Sequence, residues 1–312
     1  MKILFIDTIH PYLEKKLSEA GMTCDMVFET SAADIDEIIH LYEGIVLRSR
    51  IKMDAQRLEK ASNLKFIARA GSGMENIDVK YCQSNNIDCY NAPEANCKAV
   101  GEHAIGMLLT LFNKHIGGNK EMREGLWRRE ENRGLEIGHR SIGIIGFGHN
   151  GKAFANLSKA FGAKVLAYDK YVEVDMPGIQ LANLSEIYKT CDVISFHVPL
   201  THETHYYFNA EFVNKMKKPF YLINTSRGPV VSTKDLVAGM RAKKVLGACL
   251  DVLEYEKSDF ELMNLNSRSN ADMEFLLQSS SVVLSPHVAG WTQESLVKLS
   301  EVLAEKILSK YG

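Results

Sequence analysis

The most constraining feature of this sequence is a glycine-rich turn that follows a short apolar segment near the middle of the chain. Residues 142–145 are apolar, as expected for a buried parallel strand, and the pattern Gly146-x-Gly148-x-x-Gly151 follows directly. Glycines at this spacing permit a tight turn, close approach of the backbone to a pyrophosphate, and close packing of a helix on the strand. The turn therefore predicts a dinucleotide site, in which His149 and Asn150 also lie.

The segments after this turn have the order that such a site requires. Residues 152–161 favour a helix, whose first amides would point at the pyrophosphate, and residues 164–168 favour a second strand. Asp169 ends that strand, where an acid is expected to bind the adenosine ribose diol and to repel the 2′-phosphate of NADP. We therefore expect NAD as the cofactor, although the neighbouring cation Lys170 weakens this preference.

About 140 residues precede the turn, and their pattern predicts a second α/β domain. Short apolar segments at 2–7, 44–48 and 65–68 alternate with helix-like stretches. A long apolar helix is expected near 100–112, and an amphipathic helix at 295–308 would return to the first domain. The predicted boundaries are residues 1–97 with 288–312 for the first domain and 98–287 for the second.

Composition excludes several classes of protein. The chain has 312 residues, enough for two cores, and its net charge of −2 argues against a nucleic-acid partner or a charged membrane surface. The longest apolar stretch, 104–112, is shorter than the roughly 20 residues that span a bilayer. No leader segment is recognised, and the six cysteines form no CxxC pair, which favours reduced thiols in a cytoplasmic protein.

Two polar segments carry weaker signals. His197, His202 and His205 lie close together, but Glu203 is the only acid near them and the set of cysteines and acids that a closed metal site prefers is lacking, so we expect no metal. Residues 265–272 are locally polar and predict an exposed surface loop.

Polar side chains follow three further apolar segments in the second half of the chain. Arg227 follows residues 220–224, His287 follows residues 282–284, and the segment that begins at residue 245 is followed by Asp251, Glu254 and Glu256. The carboxyl ends of parallel strands form one edge of an open α/β sheet, and ligands bind there. We therefore expect an arginine, a carboxylate and a histidine at the same edge.

These three side-chain types suit hydride transfer from an alcohol. A histidine removes the hydroxyl proton near neutral pH, and a neighbouring carboxylate would stabilise the imidazolium that results. An arginine binds a substrate carboxylate bidentately and polarises the adjacent carbonyl. The three side chains together make an alcohol dehydrogenation the leading hypothesis.

At this point the sequence resembles the NAD-dependent D-2-hydroxyacid dehydrogenases, in the branch that contains D-3-phosphoglycerate dehydrogenase. The resemblance extends over essentially the whole chain and implies two Rossmann-like domains: a flavodoxin-like substrate domain and a doubly wound, parallel-sheet NAD-binding domain. The matching segments are Leu-Arg-Ser-Arg at 47–50, Arg-Ala-Gly-Ser-Gly at 69–73, Asn-Ile-Asp at 76–78, Asn-Ala-Pro at 91–93 with Asn96 and Glu102, the glycine-rich turn, His-Val-Pro-Leu-Thr at 197–201, Asn-Thr-Ser-Arg-Gly at 224–228, Leu-Asp-Val at 250–252 and Ser-Pro-His at 285–287.

The resemblance also implies roles for individual residues. It makes Arg227 the residue that binds substrate and polarises its carbonyl, His287 the acid/base, and Glu256 its carboxylate partner. The Ser72 and Gly73 amides would hold the substrate carboxylate in an anion-binding nest. Asp251 would contact the nicotinamide amide, and the remaining cofactor contacts would come from Val198, Thr225, Ser226 and Gly290. The family is commonly dimeric, which implies a homodimer.

Three departures from the family pattern affect these assignments. Lys257, not proline, follows Glu256, so Glu254 stays open as the alternative carboxylate. Asn150 replaces a small or aliphatic residue, and His149 replaces a common arginine near the pyrophosphate.

The substrate is predicted from a smaller set of residues. Arg48, Arg50 and Lys52 form a cationic cluster, and by resemblance Arg48 would hold a second anionic group such as a phosphate. A solvated surface cluster explains the same residues equally well. The chain stops soon after its last helix, so no C-terminal regulatory domain is expected. Besides a phosphoglycerate dehydrogenase, an enzyme for an unphosphorylated hydroxy or oxo acid and a non-catalytic NAD(H)-sensing protein stay open.

Overall fold

The computed structural model describes residues 1–173, 175–256 and 270–312, and this part of the chain forms two compact units. The first unit contains Met1–Asn96 and Trp291–Gly312. The second contains Cys97–Glu256 and continues through residues 270–290. The predicted domain boundaries, after residues 97 and 287, differ from the observed ones by one and three residues.

Strands and short helices alternate along the first unit. Three of the helices begin at a side chain that accepts a hydrogen bond from the backbone amide three residues on, supplied by Ser31, Asp54 and Asp78. The elements in chain order are β1 (Lys2–Phe5), α1 (Tyr12–Glu19), β2 (Thr23–Met26), α2 (Ala32–Ile38), β3 (Gly44–Leu47), α3 (Ala55–Lys60), β4 (Phe66–Arg69), α4 (Val79–Ser84) and β5 (Asp88–Tyr90).

The second unit begins with a long helix and then repeats the same alternation. Its elements are α5 (Cys97–Phe112), α6 (His115–Arg123), β6 (Ser141–Ile145), α7 (His149–Ala160), β7 (Lys164–Tyr168), β8 (Gln180–Leu181), α8 (Leu184–Thr190), β9 (Val193–Phe196), α9 (Ala210–Lys215), β10 (Phe220–Asn224), α10 (Thr233–Arg241), β11 (Val245–Leu250), α11 (Ala271–Gln278) and β12 (Val282–Leu284). The last helix, α12 (Gln293–Tyr311), belongs to the first unit.

The sheet of the first unit is parallel and buried on both faces. Its strand order is β2-β1-β3-β4-β5, which is the flavodoxin-like order. Ile3 and Phe5 pack in one core and Leu4 in the other, as alternation along a strand requires. The C-terminal helix α12 covers one of the two faces, where Leu299, Leu303 and Ile307 pack in the same core as Ile3 and Phe5.

The sheet of the second unit is also parallel, in the order β12-β11-β10-β9-β6-β7-β8. The direction of strand succession reverses where β6 and β9 lie side by side, and ligands of open α/β sheets bind outside the strand ends at such a switch point. Gly146 follows β6 at this position and His197 follows β9. The fold thus places the glycine-rich turn where a dinucleotide is expected.

The predicted fold class, two parallel-sheet α/β domains, is confirmed. The predicted exposed loop at 265–272 falls partly outside the described residues, and it is wrong for residues 271 and 272, which begin α11. Asn270 caps this helix, because its Oδ1 accepts hydrogen bonds from the amides of Asp272 and Met273. No helix in the described parts of the chain is both long and apolar enough to cross a lipid bilayer.

Candidate active site

The glycine-rich turn leaves room for a ligand on one side only. Gly146 has φ +95°, and a Cβ there would overlap the carbonyl oxygen of His197. A Cβ at Gly151 would overlap the carbonyl oxygen of Gly146. By contrast, no atom lies within 4 Å of the position that a Cβ at Gly148 would occupy. Two glycines are therefore required by the turn itself, whereas Gly148 keeps open the surface that would face a pyrophosphate.

The start of α7 supports the same interpretation. Gly148 is the N-cap, and no side chain in the described parts of the chain caps the first amides of the helix. His149 is exposed, while the Oδ1 atom of Asn150 is buried and has no hydrogen-bond partner among the described residues. Thr225 Oγ1, after β10, is also buried and has no hydrogen-bond partner among the described residues. Free helix amides and unsatisfied polar atoms at the strand ends fit a polar, anionic ligand such as NAD.

The backbone carbonyl of His197 packs against Gly146 of this turn, and the His197 imidazole is not placed as a metal ligand. Its Nε2 lies 2.8 Å from Ser195 Oγ, its ring packs beside Phe154, and burial lowers its pKa to about 3. The imidazole is therefore neutral at physiological pH. No group of three or more histidine, cysteine, aspartate or glutamate side chains is arranged to hold a metal ion in the described parts of the chain.

Asp169 is held rigidly at the end of β7. Its Oδ2 accepts a hydrogen bond from the amide of Phe147 (2.6 Å), and its Oδ1 accepts from the amides of Tyr171 (2.8 Å) and Val172 (2.9 Å). The bond to Phe147 ties this carboxylate to the glycine-rich turn. Lys170, which weakens the expected preference for NAD, forms an ion pair with Glu203 at 2.8 Å.

Asp251 joins the ends of β11 and β12. Its side chain is only 1% exposed, and Oδ1 accepts from Ser285 Oγ (2.6 Å) and the Val288 amide (2.9 Å), while Oδ2 accepts from the Ala289 amide (2.9 Å). His103 Nε2, on α5, lies 3.5 Å from Oδ1. These bonds fix the backbone on both sides of His287. A contact between Asp251 and the nicotinamide amide, which the resemblance implies, stays a prediction.

The pKa of Asp251 reflects this network. Burial would raise the pKa, but hydrogen bonds from His103, Ser285 and the two loop amides outweigh burial and hold the pKa below its ordinary value. The carboxylate is therefore charged in the folded protein at any pH at which the enzyme would work.

His287 and Glu256 lie in contact, as the family resemblance implies. His287 Nδ1 lies 3.0 Å from Glu256 Oε2, and the two side chains are 25% and 24% exposed. Glu256 Oε1 also accepts from the amide of Leu253 at 3.2 Å, which fixes the carboxylate. His287 has φ +53°, an uncommon backbone conformation for a side chain of this size. The contact at Nδ1 sets the orientation of the imidazole ring.

Glu254, the alternative carboxylate, accepts hydrogen bonds from residues other than His287. Its Oε1 accepts from the Tyr206 hydroxyl (2.6 Å), and its Oε2 accepts from the amide of Thr233 (2.7 Å) at the start of α10. Among the described residues, Glu256 is thus the acid that holds the His287 ring.

Arg227 follows β10 on a backbone that packs against the segment carrying Glu256. A Cβ at the next residue, Gly228, would overlap the carbonyl of Leu253, so only glycine permits this approach. Asn224 Nδ2 donates to the Arg227 carbonyl (3.0 Å), and Asn224 Oδ1 accepts from the amide and hydroxyl of Ser226. Arg227 is half-buried, and its Nη1 donates to the Ser226 carbonyl at 2.7 Å. Val198 and Gly290 are also half-buried after β9 and β12.

In the first unit, the backbone carbonyls of the loop after β4 accept hydrogen bonds from neighbouring residues. The carbonyls of Gly71, Ser72 and Gly73 accept from the Ala92 amide (3.0 Å), Asn91 Nδ2 (2.6 Å) and Arg69 Nη1 (2.6 Å). Within the described residues the amides of Ser72 and Gly73 have no acceptor, although the Ser72 hydroxyl donates to Asn96 Oδ1 at 2.7 Å. A loop with bonded carbonyls and free amides is suited to bind an anion.

Arg48, also in the first unit, stacks on Trp291. Its guanidinium carbon lies 3.8 Å from the centre of the indole ring, and within residues 1–96 and 291–312 the guanidinium donates no hydrogen bond, although the charge of Asp7 acts on it. The Arg48 carbonyl accepts from Arg69 Nε and Asn76 Nδ2, both at 3.0 Å, so the backbone is fixed. Arg48 is therefore a positioned cation whose side-chain donors have no hydrogen-bond acceptor among the described residues of its own unit.

The predicted cluster of three cations does not act as one site. The Arg50 guanidinium donates to the carbonyls of Thr30 (2.6 Å) and Ile6 (2.7 Å) and pairs with Asp7 at 3.3 Å, which makes it part of the fold. Lys52 is exposed. Within residues 1–96 and 291–312, Arg48 is the member of the cluster that is held in place by Trp291 and is not consumed by bonds of its guanidinium to the fold.

Comparisons with known proteins agree with this geometry. Residues 105–289 match the family described as D-isomer specific 2-hydroxyacid dehydrogenase, NAD binding domain. The chain is 34% identical to hydroxypyruvate reductase of Thermotoga maritima, over 89% of this chain and 88% of that enzyme. This chain belongs to the D-isomer specific 2-hydroxyacid dehydrogenase family. Its cofactor is NAD, and the predicted family resemblance is confirmed.

Two further relatives show the range of this family. D-3-phosphoglycerate dehydrogenase of Synechocystis is 35% identical over 98% of this chain, but the match spans only 53% of that enzyme. The crystal structure of D-lactate dehydrogenase from Aquifex aeolicus, complexed with NAD and lactic acid, superposes with a TM-score of 0.84 at 28% identity, covering 99% of this chain and 96% of that one. The chain thus spans about half the length of the phosphoglycerate dehydrogenase that it matches.

Sequence reasoning missed three residues that contact side chains near the candidate positions of their own unit. His103 lies on α5, which the sequence marked only as an apolar helix, and it reaches Asp251 through tertiary packing. Trp291 follows the histidine motif closely, so an exposed aromatic residue at that place was an available signal. Glu203 lies in the histidine-rich segment, where only a metal was considered.

Two substitutions test the assignment of the glycines. Gly151→Ala should lower the melting temperature by roughly 5–10 °C, because its Cβ meets backbone. Gly148→Ala should change stability by less than about 1 kcal/mol but weaken NADH binding about tenfold or more, because its Cβ occupies the open surface. Thermal unfolding and NADH fluorescence titration measure the two effects. Undiminished NADH affinity in Gly148→Ala would remove this surface from the cofactor site.

A second prediction concerns the pH dependence of stability. Asp251→Asn should lower the free energy of unfolding by about 2–4 kcal/mol at pH 7, because the new amide cannot accept all of the bonds that the carboxylate accepts. Because the folded-state pKa of Asp251 is lowered, its contribution is complete above an unfolded-state pKa of about 4 and is lost as the pH falls through the folded-state value.

The difference in melting temperature between the unmodified protein and Asp251→Asn should therefore narrow as the pH falls from 7 towards 3. Ser285→Ala is the control, since it removes one neutral donor and should cost about 1 kcal/mol. A difference that is the same at every pH would contradict the assignment of a charged, stabilising carboxylate.

Proposed function

We propose that the protein transfers a hydride between a D-2-hydroxy acid and NAD, and that D-3-phosphoglycerate is the acid it oxidises, as the first step of serine synthesis in the cytoplasm. The observation that carries this proposal is the 3.0 Å contact between His287 and Glu256 at the strand ends of the NAD-binding unit. A protein that only senses NAD(H) needs the glycine-rich turn but not this pair.

The cofactor would be held by residues of the second unit. NAD supplies the hydride acceptor when it is bound. The helix amides after Gly148 would face its pyrophosphate and Asp169 its ribose diol. The other residues assigned to the cofactor are Gly146, His149, Asn150, Gly151, Val198, Thr225, Ser226, Asp251 and Gly290.

His287 would move the proton. With Nδ1 bonded to Glu256, Nε2 accepts the proton of the substrate hydroxyl as the alcohol becomes a carbonyl. The Glu256 carboxylate stabilises the imidazolium that forms, and it keeps the ring in the same orientation for the reverse reaction. Glu256 is thus the positioning partner of the acid/base.

Arg227 in the second unit, and the loop after β4 in the first, are each assigned to the substrate acid. Arg227 offers a planar fork of donors that matches a carboxylate and stabilises negative charge on the neighbouring oxygen. The free amides of Ser72 and Gly73 supply additional donors to the carboxylate.

The choice of a phosphorylated substrate is supported by Arg48 and by the relatives. Arg48 has a fixed position on Trp291 and donors that no acceptor in the described part of its unit satisfies, which suits a phosphate site. The matched Synechocystis relative is a D-3-phosphoglycerate dehydrogenase. The second candidate is an unphosphorylated acid such as glycerate or hydroxypyruvate, because the Thermotoga relative that this chain covers over 88% of its length is a hydroxypyruvate reductase.

Removal of the proposed acid/base should slow turnover without affecting the cofactor. His287→Ala should lower kcat by ~10² to 10⁴-fold, while the Kd for NADH stays within about twofold. Glu256→Gln should lower kcat less, by roughly 10 to 100-fold, because the ring loses its partner but stays in place. Glu254→Gln is the matched control and should keep kcat within about threefold. Near-normal kcat in His287→Ala would contradict the mechanism.

Substrate identity is tested by the rate of NADH formation at 340 nm with D-3-phosphoglycerate, D-glycerate and D-lactate. Arg48→Gln should lower kcat/KM for phosphoglycerate by about 10 to 100-fold, because it loses a charged hydrogen bond, and affect D-glycerate much less. Lys52→Gln removes an exposed cation and serves as the control. Preference for an unphosphorylated acid would replace phosphoglycerate, and binding of NADH without turnover would favour the sensor.

A second copy of the chain is the partner that we propose. Helix α6 has no buried residue, and exposed apolar side chains follow one another along it and beyond it: Ile116 (59%), Met122 (54%) and Trp127 (75%). Large exposed apolar groups close together mark protein interfaces, in which tryptophan is enriched.

Substitution of this surface should separate the subunits. Trp127→Glu places a charge in the proposed interface and should convert the dimer to a monomer, as measured by light scattering after size-exclusion chromatography. Leu181→Glu alters a similarly exposed apolar residue on β8 and should leave the dimer intact. A monomeric unmodified protein would overturn the proposal.

A further inference from the structure

An ion pair adjoins the carboxylate assigned to the cofactor ribose. Lys170 Nζ lies 2.8 Å from both carboxylate oxygens of Glu203, and the Tyr171 hydroxyl donates to Glu203 Oε2 at 2.9 Å. Lys170 directly follows Asp169 in the chain, and Tyr171 donates its amide to Asp169. The acid and the ion pair thus form one group of charges at the end of β7.

Glu203 reaches this position from a turn that is held by its own hydrogen bonds. The Thr201 amide donates to Thr204 Oγ1 (2.7 Å), and the Thr204 hydroxyl donates to the Pro199 carbonyl (2.6 Å). The Thr204 amide donates to the Thr201 carbonyl at 3.2 Å. The turn therefore presents Glu203 to Lys170 in a defined place and does not rely on the two flexible side chains alone.

The balance of charge in this group favours a cofactor without a 2′-phosphate. Asp169 and Glu203 are negative and Lys170 is positive, so the group has a net charge of −1, and the carboxylate of Glu203 engages the lysine. A 2′-phosphate brings a further charge of about −1.5 to −2 at neutral pH. Without Glu203, the group would be neutral and would offer a free ammonium beside the ribose, which is a common phosphate ligand.

We propose that Glu203 determines cofactor specificity by holding Lys170 away from the position of the NADP 2′-phosphate. Asp169 alone does not account for the exclusion of NADP, because the positively charged Lys170 follows it directly in the chain. This inference rests on the placement of Asp169 at the ribose diol in the proposed function. Because the pair is exposed and exposed ion pairs are weak, the expected change is moderate.

The test compares two ligands that differ only in the 2′-phosphate. Adenosine 2′,5′-bisphosphate and adenosine 5′-monophosphate are titrated by calorimetry at low ionic strength, and the measured quantity is the ratio of their dissociation constants. In Glu203→Gln the ratio should shift about 5 to 20-fold in favour of the bisphosphate, because one repulsive charge is lost and one cation is freed. The shift should shrink as salt is raised to about 0.3 M, since the Debye length falls.

Two further variants identify the origin of the shift. Glu203→Gln combined with Lys170→Gln should return the ratio to near that of the unmodified protein, because the ammonium that binds the phosphate is gone. Glu211→Gln breaks the exposed pair between Lys215 and Glu211 on α9, with the same change in net charge, and should not shift the ratio.

No shift in Glu203→Gln would overturn the proposal, as would an equal shift in the double variant or in Glu211→Gln. These results are distinguishable from failure of the proposed function. That function is tested by turnover of the unmodified protein with NAD, whereas the ratio of adenosine ligands needs neither a substrate nor a reaction.

Discussion

The buried carboxylate of Asp251 is the interaction on which the candidate active site depends. It accepts bonds from the hydroxyl after β12 and from two amides on the far side of His287, so β11 and the histidine loop are held as one piece. An unpaired charge at this depth would be costly, and complete hydrogen bonding is what makes it tolerable. The orientation of the histidine therefore depends on a residue that faces the protein interior.

Close backbone approaches play the same part elsewhere in the second unit. Gly151 rests on the carbonyl of Gly146, and Gly228 rests on the carbonyl of Leu253. The first approach shapes the cofactor turn, and the second sets the arginine loop against the segment that carries Glu256. In both places the site is built from main chain that only glycine permits, so the functional side chains are placed by rigid elements.

Much of this arrangement follows from local sequence, and the rest does not. The glycine-rich turn was predictable because strand, turn and acid follow one another at short spacings in the sequence. The positions of Arg227, Glu256 and His287 were predictable because each follows an apolar segment typical of a buried strand. The partnership of His103 with Asp251 was not, because a helix and a distant strand meet only through tertiary packing. Arg50 belonged by charge to the predicted cationic cluster, but its guanidinium donates hydrogen bonds to backbone carbonyls of the fold. Asn270 begins a helix in a segment whose polarity predicted a loop.

The backbone at His287 has a consequence for how this protein can change over evolutionary time. A histidine at φ +53° occupies a region that glycine and asparagine adopt more readily, and such positions typically cost about 1–3 kcal/mol. Mutations that exchange His287 for either residue would relieve that cost and at the same time remove the proposed proton carrier. Selection for a more robust fold and selection for catalysis therefore oppose each other at this one position, and the network around Asp251 is what allows the histidine to persist.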